Sequence, residues 1–475
     1  MAGYVEGVER GQATLFPDRL DDFVDADNPV RVVDAFVDAL DLGELGFTRA
    51  APASTGRPGY HPAVVLKLYV YGYLNRIASS RRLEREAARN VELMWLTGRL
   101  APDHKTIADF RRDNGAAIKR VCAQFVLLCR RLGLFGEAVV AIDGSKFKAV
   151  NNRDQNFTAA KMQRRLAEIE AAVARYMAEL DGADAEPSGG ERVEHLEQKL
   201  ASLHAYMAEL KIVDEQLRAS PDGQVSLTDP DARSMNTRGS GIVGYNVQAA
   251  VEAEHHLVVT HDVVMTGSDR AQLSPMASAA REATGASFVE VVADRGYYSG
   301  QEVLACERAG IAVHVPKTIT SNAVADGRFG KDAFVYETAS DSYRCPAGQA
   351  LTRHATSVEN GMRIHVYWTS GCVTCPLRTH CTTGKERRVR RWEYEHVLDA
   401  MEERLARRPK LMQVRRSTVE HVFGTIKSWM GATHFLTRGL ANVRTEISLQ
   451  VLAYNLKRVM NVVGIVPLIA AIRAG

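Results

Sequence analysis

Apolar and polar positions along the chain change period near residue 137. Between His61 and Leu134 the spacing is helical. It predicts an apolar helix over Pro62 to Leu74, an Arg-rich amphipathic turn around Arg81 to Asn90, and helices over Asp103 to Arg112 and Ala116 to Leu132. Breaks fall at Ala78-Ser79-Ser80 and Gly98 to Pro102. From Glu137 the pattern turns to strands. Ala138 to Ile142 is a continuous apolar run ending at Asp143-Gly144, the mark of a strand buried on both faces. Tyr245 to Val251 and Leu257 to Val264 predict a hairpin joined at Glu252 to His255. Ser268 to Ala283 then reads as a helix, Phe288 to Ala293 as a strand that stops at Asp294, Gln301 to Ala309 as a helix and Ile311 to Val315 as a strand. A late helix runs from about Lys410 to Met430.

A strand, two antiparallel strands, helix, strand, helix, strand and late helix is the order of an RNase H-like mixed sheet. The expected fold class is therefore α/β, with an N-terminal all-α domain. Two segments interrupt the order. In the first, Met162, Leu166, Ile169, Val173, Tyr176 and Leu180, and then Val193, Leu196, Leu200, Leu203, Met207 and Leu210, recur at heptad steps. The Asp-, Gly- and Pro-containing stretch from Asp181 to Gly190 between them predicts a folded-back coiled-coil hairpin, with pairing between two chains as the alternative. The second segment is Cys-rich. The expected partition is a helical domain over 1–135, a core built from 136–155, 222–320 and 405–462, the hairpin over 156–221 and the Cys-rich insertion over 321–404.

With 475 residues, 46% hydrophobic and 25% charged, the chain is long enough for several packed units and too rich in apolar residues for a disordered one. Its longest nearly apolar stretch, Val462 to Ile472, is 11 residues, against the ~20 of a membrane-spanning helix. Met1 to Arg10 has neither the basic start nor the apolar run of an export signal. Seven cysteines are too few for a disulfide scaffold, which points to a reducing cytoplasm. The net charge of +3 conceals segregation. Met1 to Thr48 holds 11 acids and 3 bases, Arg76 to Arg131 holds 6 and 13, and Lys385 to Lys427 holds 7 and 12. The basic blocks fit a polyanion, or else solvated helix faces. With Arg81, Arg82, Arg85, Arg111 and Arg112 outward, the helical domain suits a helix-turn-helix-like DNA reader; the alternative is an oligomerisation domain.

Two apolar strands that end in Asp143 and Asp294 would fix two carboxylates at a sheet edge. Hard ions such as Mg²⁺ take oxygen ligands, and a pair of such ions suits phosphoryl transfer. Each Asp alone also fits a turn at the end of a strand. On an ideal late helix, Arg416, Glu420 and Lys427 fall within about 40° of one another, so a third acid would sit between two bases. A surface ion pair of Arg416 with Glu420 is the simpler account. Asp262 and Asp269, at a strand end and a helix start, read as capping residues whose Asn variants should stay active. Cys345, Cys372, Cys375 and Cys381 supply four thiols for a structural Zn²⁺, with free thiols as the alternative. Cys122 and Cys129 read as buried small hydrophobes. Gly239-Ser-Gly241-Ile-Val-Gly244 matches a dinucleotide fingerprint but precedes a strand where that fingerprint must follow one, so it is rejected.

The segments Ile142-Asp143-Gly144 with Lys146, Ala293-Asp294-Arg295-Gly296-Tyr297, and Arg416, three residues, Glu420, six residues, Lys427 resemble the DDE-type transposases of bacterial insertion sequences. Thr228-Asp229-Pro230-Asp231-Ala232-Arg233 ahead of Gly244-Tyr245-Asn246 resembles the coiled-coil-bearing branch. One departure is Gln413, where many relatives carry Tyr, which puts a Tyr-mediated DNA contact in doubt. The resemblance implies an RNase H-like core in which Asp143, Asp294 and Glu420 bind two Mg²⁺ (or Mn²⁺) ions while Arg416 and Lys427 hold DNA phosphates. It further implies end cleavage and strand transfer on double-stranded DNA, a homo-oligomer on that DNA, no membrane, and a nucleoid-associated cytoplasmic place. Two other readings compete: an RNase H-like metal-dependent nuclease without strand transfer, and a catalytically silent DNA-binding regulator.

Overall fold

A computed structural model of the chain describes residues 19–51, 58–136, 139–183, 190–237, 241–287, 289–318 and 322–474. The first 18 residues of the acidic leader, Glu137 and Ala138 at the change of period, the 184–189 tip between the two heptad arms, Gly239 and Ser240 of the glycine motif and Phe288 lie outside the described residues.

The N-terminal part is all helical: α1 (Pro29–Asp38), α2 (Pro62–Leu74), α3 (Ser80–Ala87), α4 (Val91–Thr97), α5 (His104–Asp113) and α6 (Gly115–Arg131). Side chains start these helices by taking up free backbone N–H groups. Asn28 accepts from Val30 at 2.9 Å, and Asp103 accepts from Lys105 and Thr106 at 3.0 Å each. Gly98, at φ 63°, ends α4 in the left-handed conformation that favours glycine. The structure adds α1, which the acidic composition of the leader conceals, and α4.

Next come β1 (Val139–Lys148), β2 (Asn156–Thr158), α7 (Ala159–Ala183), α8 (Gly190–Ala219), β3 (Gln224–Ser226), β4 (Arg233–Met235), β5 (Ile242–Glu252), β6 (Val258–Val264), α9 (Leu273–Thr284), β7 (Glu290–Ala293), α10 (Gly300–Arg308) and β8 (Ala312–His314). Both β4 and β6 pair with β5, and the sheet continues as β5-β1-β7-β8. β1 runs antiparallel to β5 and parallel to β7, and β7 runs parallel to β8, so the sheet is mixed. The helices α7 and α8 lie antiparallel: Met162 and Ile169 near the start of one share a buried cluster with Leu210, Val213 and Leu217 near the end of the other. The short β2–β3 pair, with Phe157 opposite Val225, ties their base.

A second sheet, unforeseen from the sequence, follows in the order β13-β12-β11-β10-β9. Its strands are β9 (Val335–Glu337), β10 (Ser342–Arg344), β11 (Ala350–Glu359), β12 (Met362–Trp368) and β13 (Val389–Trp392), all paired antiparallel around Phe334, Tyr343, Leu351, Tyr367 and Val389. The chain closes with α11 (Glu395–Arg407), α12 (Leu411–Gly424), a π-helical turn over Thr425–Trp429, α13 (Leu440–Val463) and α14 (Ile465–Arg473).

Alternation along β1 divides the core. Ala141 and Phe147 face a cluster that includes the N-terminal helices, Val419, Val422 and Phe423 of α12 and most of α13. Val140 and Ile142 face the other side, against α9, α10 and α11. α13 is buried almost all round from Val443 to Leu456, which makes it the central helix. No single described helix is long and apolar enough to cross a membrane, and α13 and α14 meet at a bend of 108°.

Candidate active site

β1 and β7 pair in parallel with Ile142 opposite Ala293, so the next residue on each strand, Asp143 and Asp294, follows in register. Asp143 does not end its strand as the sequence suggests. β1 runs on to Lys148 because β5 keeps pairing with it, from Asp143 opposite Ala249 to Lys148 opposite Gly244. What stops at this point is β7. Asp294 turns out of the sheet, accepts the Gly296 N–H at 2.7 Å and opens a 3₁₀ turn over Arg295–Tyr297. The Gly144 N–H donates to Asp143 at 2.9 Å. Arg415 of α12 reaches both acids, its Nη2 lying 2.5 Å from Asp143 Oδ1 and 3.6 Å from Asp294 Oδ2. Burial pushes the Asp143 carboxyl up to about 6, and the charges of Asp294 and Asp269 add to this, against Arg415 and the Gly144 N–H. A positive charge placed here stabilises the ionised form.

α12 reaches the pair because Val419, Val422 and Phe423 are buried toward the sheet, with the Phe423 ring 6.3 Å from that of Phe147. Arg415 turns inward, its side chain 12% exposed. Arg416 and Glu420 are exposed, and among the described residues they form no ion pair with each other. Nor, among the described residues, does Glu420 share the Arg415 ion pair that joins the two aspartates. Lys427 departs from the expected shared face. The π-helical turn breaks the ideal periodicity there. Lys427 Nζ points at β1, donating to Ser145 Oγ at 2.7 Å and to the Lys146 carbonyl at 2.8 Å, over the Phe147 ring at 4.4 Å. Burial lowers its pKa.

Asp269 is not the cap that the sequence suggests. Its carbonyl accepts from Gln272 at 3.0 Å, but its side chain does not cap α9. Instead its Oδ1 accepts from Asn246 Nδ2 at 2.7 Å and Gln248 Nε2 at 2.8 Å, and Lys146 Nζ stands 4.0 Å from Oδ2. Buried Tyr297 donates its hydroxyl to Gln248 Oε1. Asp262 sits apart, paired with Arg444 at 3.0 Å. Sequence reasoning thus missed Arg415, one position from the arginine it selected, and Asp269, set aside as a cap.

Two segments of the chain match family models. Residues 18–113 match a family described as transposase domain (DUF772), and residues 344–460 one described as transposase DDE domain. Two segments of the chain are thus similar to transposase domains, the second of them a DDE domain. Among solved structures it is similar to a piggyBac transposase synaptic complex with hairpin DNA determined by electron cryo-microscopy, at 7% identity and a TM-score of 0.31 over 95% of this chain and 79% of that one. No curated protein matches it.

The arginines chosen in the N-terminal part of the chain divide. Arg81, Arg82 and Arg85 of α3 are exposed. Arg112 is exposed but engaged by Asp109 at 2.6 Å and Asp113 at 2.8 Å. Arg111 does not face outward: it lies over the Tyr69 ring at 5.7 Å, with Tyr73 and Glu446 nearby. It follows Phe110 toward the core, which an ideal surface face overlooks.

Cys345, Cys372, Cys375 and Cys381 are all reduced and line one pocket with Phe329, Phe334 and Leu377. Two turns bring them there, Cys345–Gly348 closed at 2.8 Å and Cys372–Cys375 at 3.4 Å. Burial pushes the Cys381 thiol up, and the other three cysteines add to it. Among the described residues, the one group of three or more ligating side chains whose atoms converge within 4.8 Å is Glu252, Glu254 and His255. There the Glu252 carboxylate accepts the Glu254 and His255 N–H groups and so closes the β5–β6 turn. Cys122 and Cys129 are buried in α6, as expected of small hydrophobes.

Proposed function

We propose that this transposase cuts double-stranded DNA at the ends of an insertion sequence and joins the freed 3′ ends to target DNA, with divalent ions held by Asp143, Asp294 and Glu420. The observation that carries this reading is the register that sets Asp143 beside Asp294, in a place where burial disfavours the Asp143 charge. The order β6-β5-β1-β7-β8, antiparallel in its first three strands and parallel after, supports an RNase H-like core. Hard carboxylate oxygens fit Mg²⁺ or Mn²⁺. Bound there, such ions supply Lewis-acid stabilisation of an in-line phosphodiester displacement.

The remaining work belongs to the chain. Arg415 bridges the two aspartates and balances their charge. Exposed Arg416 suits a DNA phosphate. Lys427, drawn to β1, suits a phosphate lying along that strand beside the acids. The exposed α3 arginines suit backbone contacts of a helical DNA-binding domain over 1–135. A core from 136–155, 222–320 and 405–462 would carry two insertions, the α7–α8 coiled-coil hairpin over 156–221 and the Cys-rich segment over 321–404. In the latter, four thiols facing one pocket suit a structural Zn²⁺, which would draw them together. The protein would act as a homo-oligomer on DNA in the bacterial cytoplasm.

Incubating purified protein with Mg²⁺ and DNA that carries the ends flanking its coding region tests the reading. Nicked or broken ends with 3′-OH groups, followed by joined products, are expected. Cutting without joining would favour a nuclease, and binding without cutting a regulator.

A further inference from the structure

Asp269 belongs to neither of the elements that carry Asp143 and Asp294. It sits in the loop between β6 and α9, yet the geometry gathers it beneath both. The reason is two glycines. A Cβ on Gly144 would come within 2.5 Å of Asp269 Oδ1, 2.4 Å of Gln248 Nε2 and 2.9 Å of Asn246 Oδ1. A Cβ on Gly296 would come within 2.9 Å of Asp294 Oδ1 and 3.7 Å of Asp269 Oδ2. The residue after Asp143 and the second residue after Asp294 therefore both lack a side chain on the side where the Asp269 carboxylate lies.

The two oxygens of that carboxylate are used differently. Oδ1 is committed to the amides of Asn246 and Gln248, while Oδ2 has Lys146 at 4.0 Å. One oxygen pinned by amides, with the other held only by a distant ammonium, is how an oriented ligand carboxylate is held. A second observation points the same way. Asn246 is 0% exposed, and its Nδ2 is satisfied by Thr266 O at 3.2 Å and by Asp269, which fixes the amide orientation. Its Oδ1 has no hydrogen-bond partner. A buried acceptor costs free energy when left bare, and here it borders the gap at Gly144 beside a carboxylate. Oxygens of this kind, carboxylate and amide carbonyl, are the donor set of a hard hydrated cation.

We propose that Asp269 is a further carboxylate of the divalent-cation centre, with its Oδ2 and the orphaned Asn246 Oδ1 facing the bound ion or its water shell. The inference rests on the metal-dependent reading of Asp143 and Asp294 and extends it to a residue outside the three acids. It also reverses the expectation that Asp269→Asn stays active.

Manganese binding to the full chain without DNA, followed by the electron paramagnetic resonance of free Mn²⁺, separates the claims. Asp269→Asn should weaken Mn²⁺ affinity about 10-fold or more, as loss of an orienting or ligating group does at metal sites. Asp269→Glu should recover most of it, and Asp262→Asn should match wild type. If Asp143→Asn weakens binding and a folded Asp269→Asn does not, the Asp269 assignment falls while the reading of the site stands. If wild type binds no Mn²⁺, both fall. Because Asp269→Asn removes the charge that strengthens the hydrogen bonds of two buried amides, unaltered protein supplies the second arm. In Mn²⁺-soaked crystals an anomalous peak should lie within about 5 Å of the Asp269 carboxylate, the reach of a direct or water-mediated ligand. A peak at Asp143 and Asp294 alone, beyond that reach, would overturn the assignment.

Discussion

At the scale of single residues, burial decides what each charged group does. His261 is 6% exposed, its Nε2 bonded to Ser448 Oγ at 2.8 Å, and burial pushes its pKa down to about 4. The unfolded chain takes up a proton near the ordinary value of about 6.5, while the folded chain resists it. Stability from this residue is therefore complete above that value and falls as pH drops toward 4, by on the order of 2–3 kcal/mol. Urea unfolding between pH 7.5 and 4.5 should show a shallower decline for His261→Gln than for wild type, and equal slopes would remove His261 as the cause. The arginines make the same contrast. Replacing Arg81, Arg82 and Arg85 with Ala should leave stability nearly unchanged, weaken DNA binding and lower the salt slope by about one counterion per lost contact. Replacing Arg111, packed over Tyr69, should instead lower stability by about 1–3 kcal/mol, measurable as a lower Tm. Composition identified all four as basic, but only burial separates them.

At the scale of elements, what was legible followed how local the cause was. The α2 helix begins and ends where its apolar run does, and the β5–β6 hairpin falls on its two β-rich runs. α13 was missed, because a helix buried all round carries no amphipathic period. The Asp229-Pro230-Asp231 motif, noticed only as a likeness, has a local task that explains it. Asp231 Oδ2 accepts the Leu440 N–H at 2.8 Å, and Asp229, wholly buried, accepts from Gly439 at 3.0 Å and from the Tyr245 hydroxyl at 2.8 Å. These aspartates hold the N-terminus of the central helix against the sheet. Asp231→Ala should cost about 1 kcal/mol, as loss of a helix cap does, read from denaturant midpoints. No change would show that the Leu440 contact contributes nothing. The second sheet was hidden because β9, β10 and β13 are only three or four residues long and the longest strand, β11, is exposed along most of its length, so only the cysteines marked the segment. Protein purified without chelator should contain about one zinc per chain, and chelation should raise protease cutting within 321–404. Elemental analysis that finds no zinc would leave the four thiols as packing residues.

At the scale of the whole molecule, the acidic centre is assembled from parts far apart in sequence. Asp143 was legible because an apolar strand announces it, and Asp294 for the same reason. Their adjacency comes from the parallel register of β1 and β7, which no periodicity encodes. Arg415 and Asp269 were illegible for a related cause: each reaches the centre through a pairing or a helix approach that the packed core sets. The late helix shows the limit of ideal geometry, since one π-helical turn sends Lys427 to the sheet, while Arg416 and Glu420 on the regular helix before it are exposed. The proposal that Asp143, Asp294 and Glu420 act as one metal-holding unit is tested by removing charge while keeping shape. Asp143→Asn, Asp294→Asn and Glu420→Gln, with folding checked, should each keep DNA binding in a mobility assay. Each should lose both end cleavage and strand transfer in Mg²⁺, and double variants should lose no more than single ones. Near-normal cleavage by any one of the three would contradict the account and remove that residue from the centre.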